Sequence, residues 1–551
     1  MAVTPAASCA APADLMETAA AMRNPTMQRR HLLAAAALTL ARPALGQGTT
    51  GAARVLKFVP QSDLAVLDPI VTTANVARYH GYAVWDTLYG FNQDYQPDPQ
   101  MAEGHQVAQD GRHVTIRLRE GLKFHDGTPV RGADCVASIR RWAARDPLGQ
   151  VLMARTEDLS APDDGTILFR LSRPFPQLFA ALAKPSAPVC FIMPERLAAT
   201  DPARPVAEII GSGPFRFRER IPGTRVVYDR FADYVPRAEG IPSWTAGPKR
   251  VHFDRVEWHV MPDAASAATA LGNGDVDWWE NPLAETQATL RRNRGVVLEV
   301  PDPVGFIGMA RFNALHPPFD KPAIRRALLG AIDQDAFMAA VVGADRSLWR
   351  DDIGIFPPGT PLANDAGLAA LTSARDPDRV KRELSEAGYG GEKVVLLAAT
   401  DFPTLAALAR VGAETLQRVG LEVELVSAEW SALVQRRARR EPPERGGWSM
   451  FFTFWTGLDM MNPGVNQALR GTGDRAWFGW PTMAKMEELR SQWFDAPNLE
   501  AEQRIARELQ AEALREAPYL PLGQYFQATA YRRGLSGMLK GLPVFWNIQR
   551  G

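Results

Sequence analysis

Two stretches of this chain alternate strand, helix and strand, and that pattern restricts the fold more than anything else in the sequence. Lys393 to Ala398 reads as an apolar strand and Thr404 to Val419 as a helix. Gly420 ends the helix, and Leu421 to Val426 is a second strand. Earlier, Val256, Trp258 and Val260 alternate with Glu257, His259 and Met261, which is the pattern of a half-buried strand. Asp263 then caps an alanine-rich helix to Leu271, Gly272 and Gly274 stop it, and Val276-Asp277-Trp278 opens the next strand. A strand connected through a helix to another strand builds a parallel sheet with helices on its faces. The chain is therefore α/β.

The chain has 551 residues, too many for one hydrophobic core and enough for several domain-sized units. No Pro/Gly/Ser linker separates them and no internal repeat is visible, so the expectation is interleaved domains, with the chain crossing between them more than once. Val114, Ile116 and Leu118 alternate with Thr115, Arg117 and Arg119 in a further strand. Asp134 falls in the first turn of a helix whose apolar face is Cys135, Ile139 and Trp142. Asp320 is expected to cap a long helix between Pro318 and Val342, and the last helices run from about Pro481 to Trp493 and from Leu499 to Ala517.

The first 46 residues are set apart. Arg29 and Arg30 precede the uncharged run Leu32 to Ala41, Pro43 breaks it, and Ala44-Leu45-Gly46 offers the small residues a signal peptidase needs. The run is half the length a membrane span requires. The segment reads as an export signal; its arginine pair resembles a twin-arginine signal, with the general secretory route as the alternative. Translation from Met22 or Met27 would account for the residues before it. Cleavage after Gly46 removes four arginines and two carboxylates and leaves a net charge of −2. The expected location is the periplasm, as a soluble protein.

Basic and acidic residues number 62 each. Without a net basic charge, nucleic acid is not the expected partner. Three cysteines exclude a disulfide scaffold and a CxxC zinc site. Cys135 and Cys190 sit in apolar stretches and read as two buried thiols, with a disulfide between them as the alternative. No phosphate-binding loop, no H-E-x-x-H and no G-x-S-x-G is present. His125-Asp126 is followed by Gly127-Thr128-Pro129 and reads as a turn. Gly211-Ser212-Gly213-Pro214 reads as a tight backbone crossing. No catalytic residue, metal or cofactor is expected. Fourteen tryptophans are many, and Trp278, Trp279, Trp430, Trp448, Trp455, Trp477, Trp480 and Trp546 fall in polar or glycine-rich stretches, where indole rings line pockets as well as pack cores.

Five segments together resemble one family, the extracytoplasmic solute-binding proteins of dipeptide and oligopeptide ABC importers. They are Val114 to Val130 with Ala133 to Ser138; Gly211 to Phe215; Arg311-Phe312-Asn313; Pro318-Phe319-Asp320 with Ile324 to Leu328; and Leu384 to Tyr389. The resemblance spans about Arg54 to the C-terminus. It implies a periplasmic-binding-protein-like fold of the cluster C type: two α/β lobes with a hinge plus a smaller middle domain. The expected boundaries are 1–46 for the export signal, 54–88, 206–305 and 525–551 for the first lobe, 89–205 for the middle domain, and 306–524 for the second lobe. Gly211 and Gly213 would mark the turn back into the first lobe.

The same resemblance implies site residues. Glu429-Trp430 is similar to a family pair whose ring lines the ligand site. Trp455-Thr456-Gly457 with Asp459 and Pro463 is similar to the segment whose aspartate grips the ligand's α-ammonium, although Leu458 is an extra residue here. The other reading of Asp459 is a plain turn residue. Where dipeptide binders place an arginine for the ligand carboxylate, this chain has Ala399-Thr400-Asp401-Phe402-Pro403, without one. Asp459, Trp430, Trp455, Asp401 and Phe402 are thus the candidate ligand contacts. The expected function is a substrate-binding subunit, a monomer without enzymatic activity. It would capture a peptide or similar small solute and deliver it to an ABC permease and ATPase complex. An exported hydrolase, and a sensor or chaperone on the same fold, are the competing readings.

Overall fold

The computed structural model describes residues 54–551. The proposed signal, with its arginine pair and cleavage point, lies outside the described residues. Among those residues, no helix is long and apolar enough to cross a membrane.

Three sheets organise the molecule. The first has seven strands in the order Phe215–Ile221, Arg225–Arg230, Arg255–His259, Val55–Val59, Trp278–Trp279, Thr529–Arg532 and Val296–Glu299. Val55–Val59 runs parallel to both Arg255–His259 and Trp278–Trp279. The helix Ala264–Asn273 makes the crossover between those two. The Asp263 carboxylate accepts from the Ser266 amide at its start, and Gly274 closes it at φ 87°. The second sheet has six strands: Trp349–Arg350, Tyr519–Tyr525, Phe306–Phe312, Met450–Thr456, Val394–Ala399 and Val423–Ala428. Its last two strands are parallel and joined through the helix Pro403–Arg418. A third, antiparallel sheet of four strands runs Ala102–Val107, His113–Leu118, Thr166–Leu171 and Thr156–Asp163. Its exposed-buried alternation along His113–Leu118 packs one face against the helix Gly132–Arg145, whose buried side carries Cys135, Ile139 and Trp142.

The chain joins the two large sheets twice. Strand Val296–Glu299 of the first leads through residues 300–305 into Phe306–Phe312 of the second, and Tyr519–Tyr525 returns through residues 526–528 to Thr529–Arg532. Tyr525, which the sequence reading gave to the first lobe, pairs with Phe306 in the second sheet. A second departure concerns Asp320. The expected long helix is broken into Pro322–Ala327, a 3-10 turn Leu328–Ala331, and Gln334–Val342. Asp333, not Asp320, caps the last piece by accepting from the Ala336 amide. Pro322 takes the first helical position, so Lys321 rather than Asp320 precedes the helix; buried Arg325 donates to the carbonyls of Phe319, Glu516 and Ala517 and pins this first piece to the end of a distant helix.

Gly211 and Gly213 lie on the path into the first sheet. A Cβ at Gly211 would overlap the Val84 carbonyl oxygen, and one at Gly213 would sit 2.7 Å from the Val84 carbonyl carbon. The Gly213 amide donates to that same Val84 carbonyl at 2.8 Å. This is a close backbone crossing, away from the two joins between the large sheets. His125 belongs to it: its backbone N–H donates to Gly211 O, and its ring nitrogens contact the Gly211 amide and Gly213 O. Asp126 accepts from the Thr128 amide and hydroxyl, which makes the His125–Thr128 stretch a turn. Cys135 and Cys190 are buried and free.

Candidate functional site

The cleft between the two large sheets holds a cavity of about 50 Å³ beside the joins. Tyr79, Trp278 and Glu280 line it from the first sheet's side, Asp302 from the first join, and Phe306 and Thr456 from the ends of second-sheet strands. Pro301-Asp302-Pro303 cannot continue a ladder, so the chain leaves the first sheet there. The freed Asp302 carboxylate turns back to accept from the Val304 amide at 2.9 Å. Glu280 follows directly on the strand Trp278–Trp279 and accepts from the amide and side chain of Gln61 at 2.7 and 2.9 Å. Trp278 is held by an indole N–H bond to the Thr529 hydroxyl at 2.6 Å.

The cavity is acidic. Burial pushes Glu280 up to about 7, against its hydrogen bonds from Gln61 and Tyr79 and the charge of Arg78. Burial likewise pushes Asp302 up to about 6; the Val304 and Gly305 amides and Arg78 pull it down, and the Asp459 charge pushes it up. Both groups therefore hold protons in the folded chain over a pH range where the unfolded chain has released them. Their contribution to stability is complete below the usual carboxylate range and is lost as pH rises through about 6 to 7. The melting temperature should fall over that window, and Glu280→Gln should flatten the fall. A melting profile of Glu280→Gln with the parent's full slope would contradict this.

Arg78 is the cation that acts on both carboxyls. It stands on the helix Asn75–Val84 and is 2 % exposed. Its guanidinium donates to Asn75 Oδ1 at 2.7 Å, to the Pro185 carbonyl at 3.1 Å, and to Asp459 Oδ1 at 3.2 Å. Asp459 closes a 3-10 turn, Gly457–Asp459, directly after the second-sheet strand Met450–Thr456. The Thr456 hydroxyl donates to Asp459 Oδ2 at 2.7 Å. Leu458, the extra residue of this segment, is fully buried and lets that turn form. Asp459 thus does not stand free to receive an ammonium group. It bridges the first sheet's helix to the second sheet, with the chain's own arginine as its partner.

The other candidates do not line this cavity. Trp455 follows the alternation of its strand, opposite in sense to Thr456, and packs edge-on against Trp477 at 4.7 Å between centroids. Asp401 Oδ1 accepts from the Trp430 amide at 2.7 Å, which joins these two at the carboxyl ends of the parallel strands Val394–Ala399 and Val423–Ala428. The Arg437 guanidinium lies over the Trp430 ring at 5.0 Å. Phe402 reaches the cavity only through other rings: it packs on Phe454 at 5.6 Å, and Phe454 packs on Phe306 at 5.5 Å. The sequence reading missed Arg78, Tyr79, Glu280 and Asp302. Glu280 directly follows the singled-out Trp278-Trp279, and Asp302 stands in a proline-flanked turn, so both had a local signal. Arg78 and Tyr79 had none.

A cavity this small cannot hold a solute larger than a few atoms, since ligand pockets run to hundreds of Å³. Two large sheets joined twice, with a small cavity and the Arg78–Asp459 pair between them, describe a two-lobed α/β fold. The comparisons agree. Residues 96–476 match the family model described as "Bacterial extracellular solute-binding proteins, family 5 Middle". The chain is 36% identical over 535 residues, 95% of this chain and 100% of the relative, to the protein named "Probable peptide ABC transporter periplasmic-binding protein y4tO" of Sinorhizobium fredii. Among solved structures it resembles the binding protein AgaA of A. tumefaciens, in complex with agropinic acid, with TM-score 0.75 and 22% identity over 90% of this chain and 99% of that one. It also resembles the murein tripeptide binding protein MppA of Escherichia coli, with TM-score 0.74 and 18% identity over 91% and 99%. The chain belongs to family 5 of the bacterial extracellular solute-binding proteins.

Proposed function

We propose that the chain is the substrate-binding subunit of an ABC importer, capturing a peptide or similar small solute between its two large lobes. The lobes are the regions built on the seven- and six-stranded sheets, and the four-stranded sheet belongs to the middle domain. The observation that carries this reading is the meeting of the two large sheets at two chain crossings, where Thr456 of one faces Tyr79 and Glu280 of the other. Hinge bending at residues 300–305 and 526–528 parts the lobes and admits the solute. The peptide assignment is supported by the relative that is 36% identical over nearly the whole chain.

When the lobes part, the Arg78–Asp459 pair opens with them, and each partner is then available to a charged ligand group. Asp401, Phe402 and Trp430, at the carboxyl ends of parallel strands, are the second lobe's further contribution, as expected for a ligand crevice in an α/β sheet. Trp455 remains a candidate contact in the same opened cleft. Export by the Arg29-Arg30 segment, work in the periplasm as a monomer, and delivery to a permease driven by ATPase subunits complete the proposal. The chain performs no chemistry on its cargo.

Thermal melting against a panel of peptides of two to five residues tests the ligand class. One group of peptides should raise the melting temperature with saturable dependence on concentration. A panel in which none does so would overturn the peptide reading.

A further inference from the structure

Arg437 directly follows the helix Trp430–Arg436 in the second lobe and sits among three aromatic rings. Its guanidinium carbon lies 4.8 Å from the ring centroid of Phe478, 5.0 Å from that of Trp430 and 5.6 Å from that of Phe451. Arg437 and Trp430 share a narrow crevice with Ala399, the last residue of the strand Val394–Ala399. Arg437 therefore stands near the carboxyl end of a parallel strand, where open α/β sheets take their ligands.

This cation has no counter-ion. Among the described residues, no carboxylate pairs with Arg437 and no acceptor takes a hydrogen bond from its side chain. Its Nε is buried, and the residue as a whole keeps some exposed surface, so the two terminal nitrogens are its reachable end. Its neighbours are engaged: Arg436 donates to the Gly447 carbonyl at 3.0 Å, and Arg440 pairs with Asp474. Burial also lowers Arg325 and Arg490, and there Glu516 and Glu487 pull the other way. Burial pushes Arg437 down to about 10 with no anion opposing it. The ring faces attract the charge, but they leave the planar fork of N–H donors unused. An unpaired charge held partly away from water is costly, and an anion removes that cost.

We propose that Arg437 is the receptor for a carboxylate of the captured solute, which accepts two parallel hydrogen bonds from the terminal guanidinium nitrogens. The rings already hold the guanidinium in place, so little freedom is lost when the carboxylate arrives. The inference rests on the chain's being a solute-binding subunit, and not on the solute's being a peptide. A peptide's terminal carboxylate and the carboxylate of a non-peptide acid offer the same two oxygens.

Two acid–amide pairs test it on the intact chain: para-fluorobenzoate with para-fluorobenzamide, followed by fluorine NMR, and the dipeptide Ala-Phe with its C-terminal amide, followed by titration calorimetry. The acid of at least one pair should bind the parent, at least about tenfold more tightly than its amide. Arg437→Met, which keeps an unbranched chain against the rings, should bring that acid within about twofold of the amide. Arg437→Lys should recover only part of the difference, because it restores the charge without the fork. Melting of the solute-free variants reports folding, and Arg437→Gln serves if Arg437→Met does not fold. Para-fluorobenzoate that binds through Arg437 beside an Ala-Phe that does not bind supports the carboxylate site and counts against the peptide reading alone. Failure of both acids to bind the parent overturns the proposal. So does an acid that the parent binds no better than its amide, and so does an acid that binds Arg437→Met as tightly as the parent.

Discussion

Replacing Lys249 by methionine should lower the stability of the folded chain by about 3–5 kcal/mol, read as a shift in the denaturant midpoint. Lys249 Nζ lies 2.7 Å from Asp86 Oδ1, and both side chains are fully buried. Burial by itself raises the Asp86 carboxyl, but the Lys249 charge and hydrogen bonds from Lys249, Tyr234 and the Thr87 amide outweigh it and hold Asp86 below the usual carboxylate range. The ammonium also lies over the Trp546 ring at 4.5 Å. Methionine fills the space and leaves Asp86 as a buried charge with only neutral donors. The sign with pH follows. In the parent, the stability from Asp86 is present above the unfolded carboxylate range and is lost as pH falls through its depressed folded value. In Lys249→Met the carboxyl rises, so the deficit should shrink in acid as Asp86 takes up a proton. A loss below about 1 kcal/mol would show that the pair contributes no more than a surface bridge. Asp86 begins the short strand that pairs with Phe191–Ile192, so the pair anchors the two ends of the segment that contains the four-stranded sheet.

Asp459→Asn should weaken the binding of a peptide that stabilises the parent by roughly tenfold, which is about 1.4 kcal/mol. The mechanism differs from the one expected from sequence. Arg78 is 2 % exposed and, among the described residues, Asp459 is the carboxylate it pairs with, so its charge depends on Asp459 when the lobes are together. Asparagine keeps the 3-10 turn but removes the charge, which penalises closure whatever the ligand carries. A ligand without an amine should therefore weaken as well, and Arg78→Met should act in the same direction. If only amine-bearing ligands respond, Asp459 acts by direct contact and the bridge is secondary. Calorimetric titration of both variants separates the two cases.

What could be read from the sequence was local. The β-α-β unit at 255–279 declares itself through strand alternation, a capping aspartate and stop glycines, and the one at 394–428 through an apolar strand, a helix and the stop glycine Gly420; the first unit's strands both run parallel to Val55–Val59, and the second unit's strands pair in parallel. The crossing at Gly211 and Gly213 was legible as a glycine cluster, though the partner that demands it, Val84, was not. The motif residues Arg311, Asn313 and Arg325 carry the family resemblance, yet they hold backbone carbonyls inside the second lobe and stand away from the cleft. Asp459 was legible as a candidate but not its partner, because Arg78 is 381 residues away and an ion pair across two lobes leaves no trace in spacing. The helix expected from Asp320 starts later because Pro322 takes its first position, and its first piece is tied by Arg325 to a helix end nearly 200 residues on, a contact that leaves no trace in spacing.

Native mass spectrometry of the protein purified from a host that exports it tests most directly whether a solute is held between the lobes. The parent should carry a bound small molecule released by mild activation. Met538→Trp should lose it while keeping the melting temperature of the parent stripped of its solute, since Met538 lines the cavity at the joins and makes none of the polar contacts there. A parent without any bound molecule, or an adduct that stays on Met538→Trp, would contradict the account.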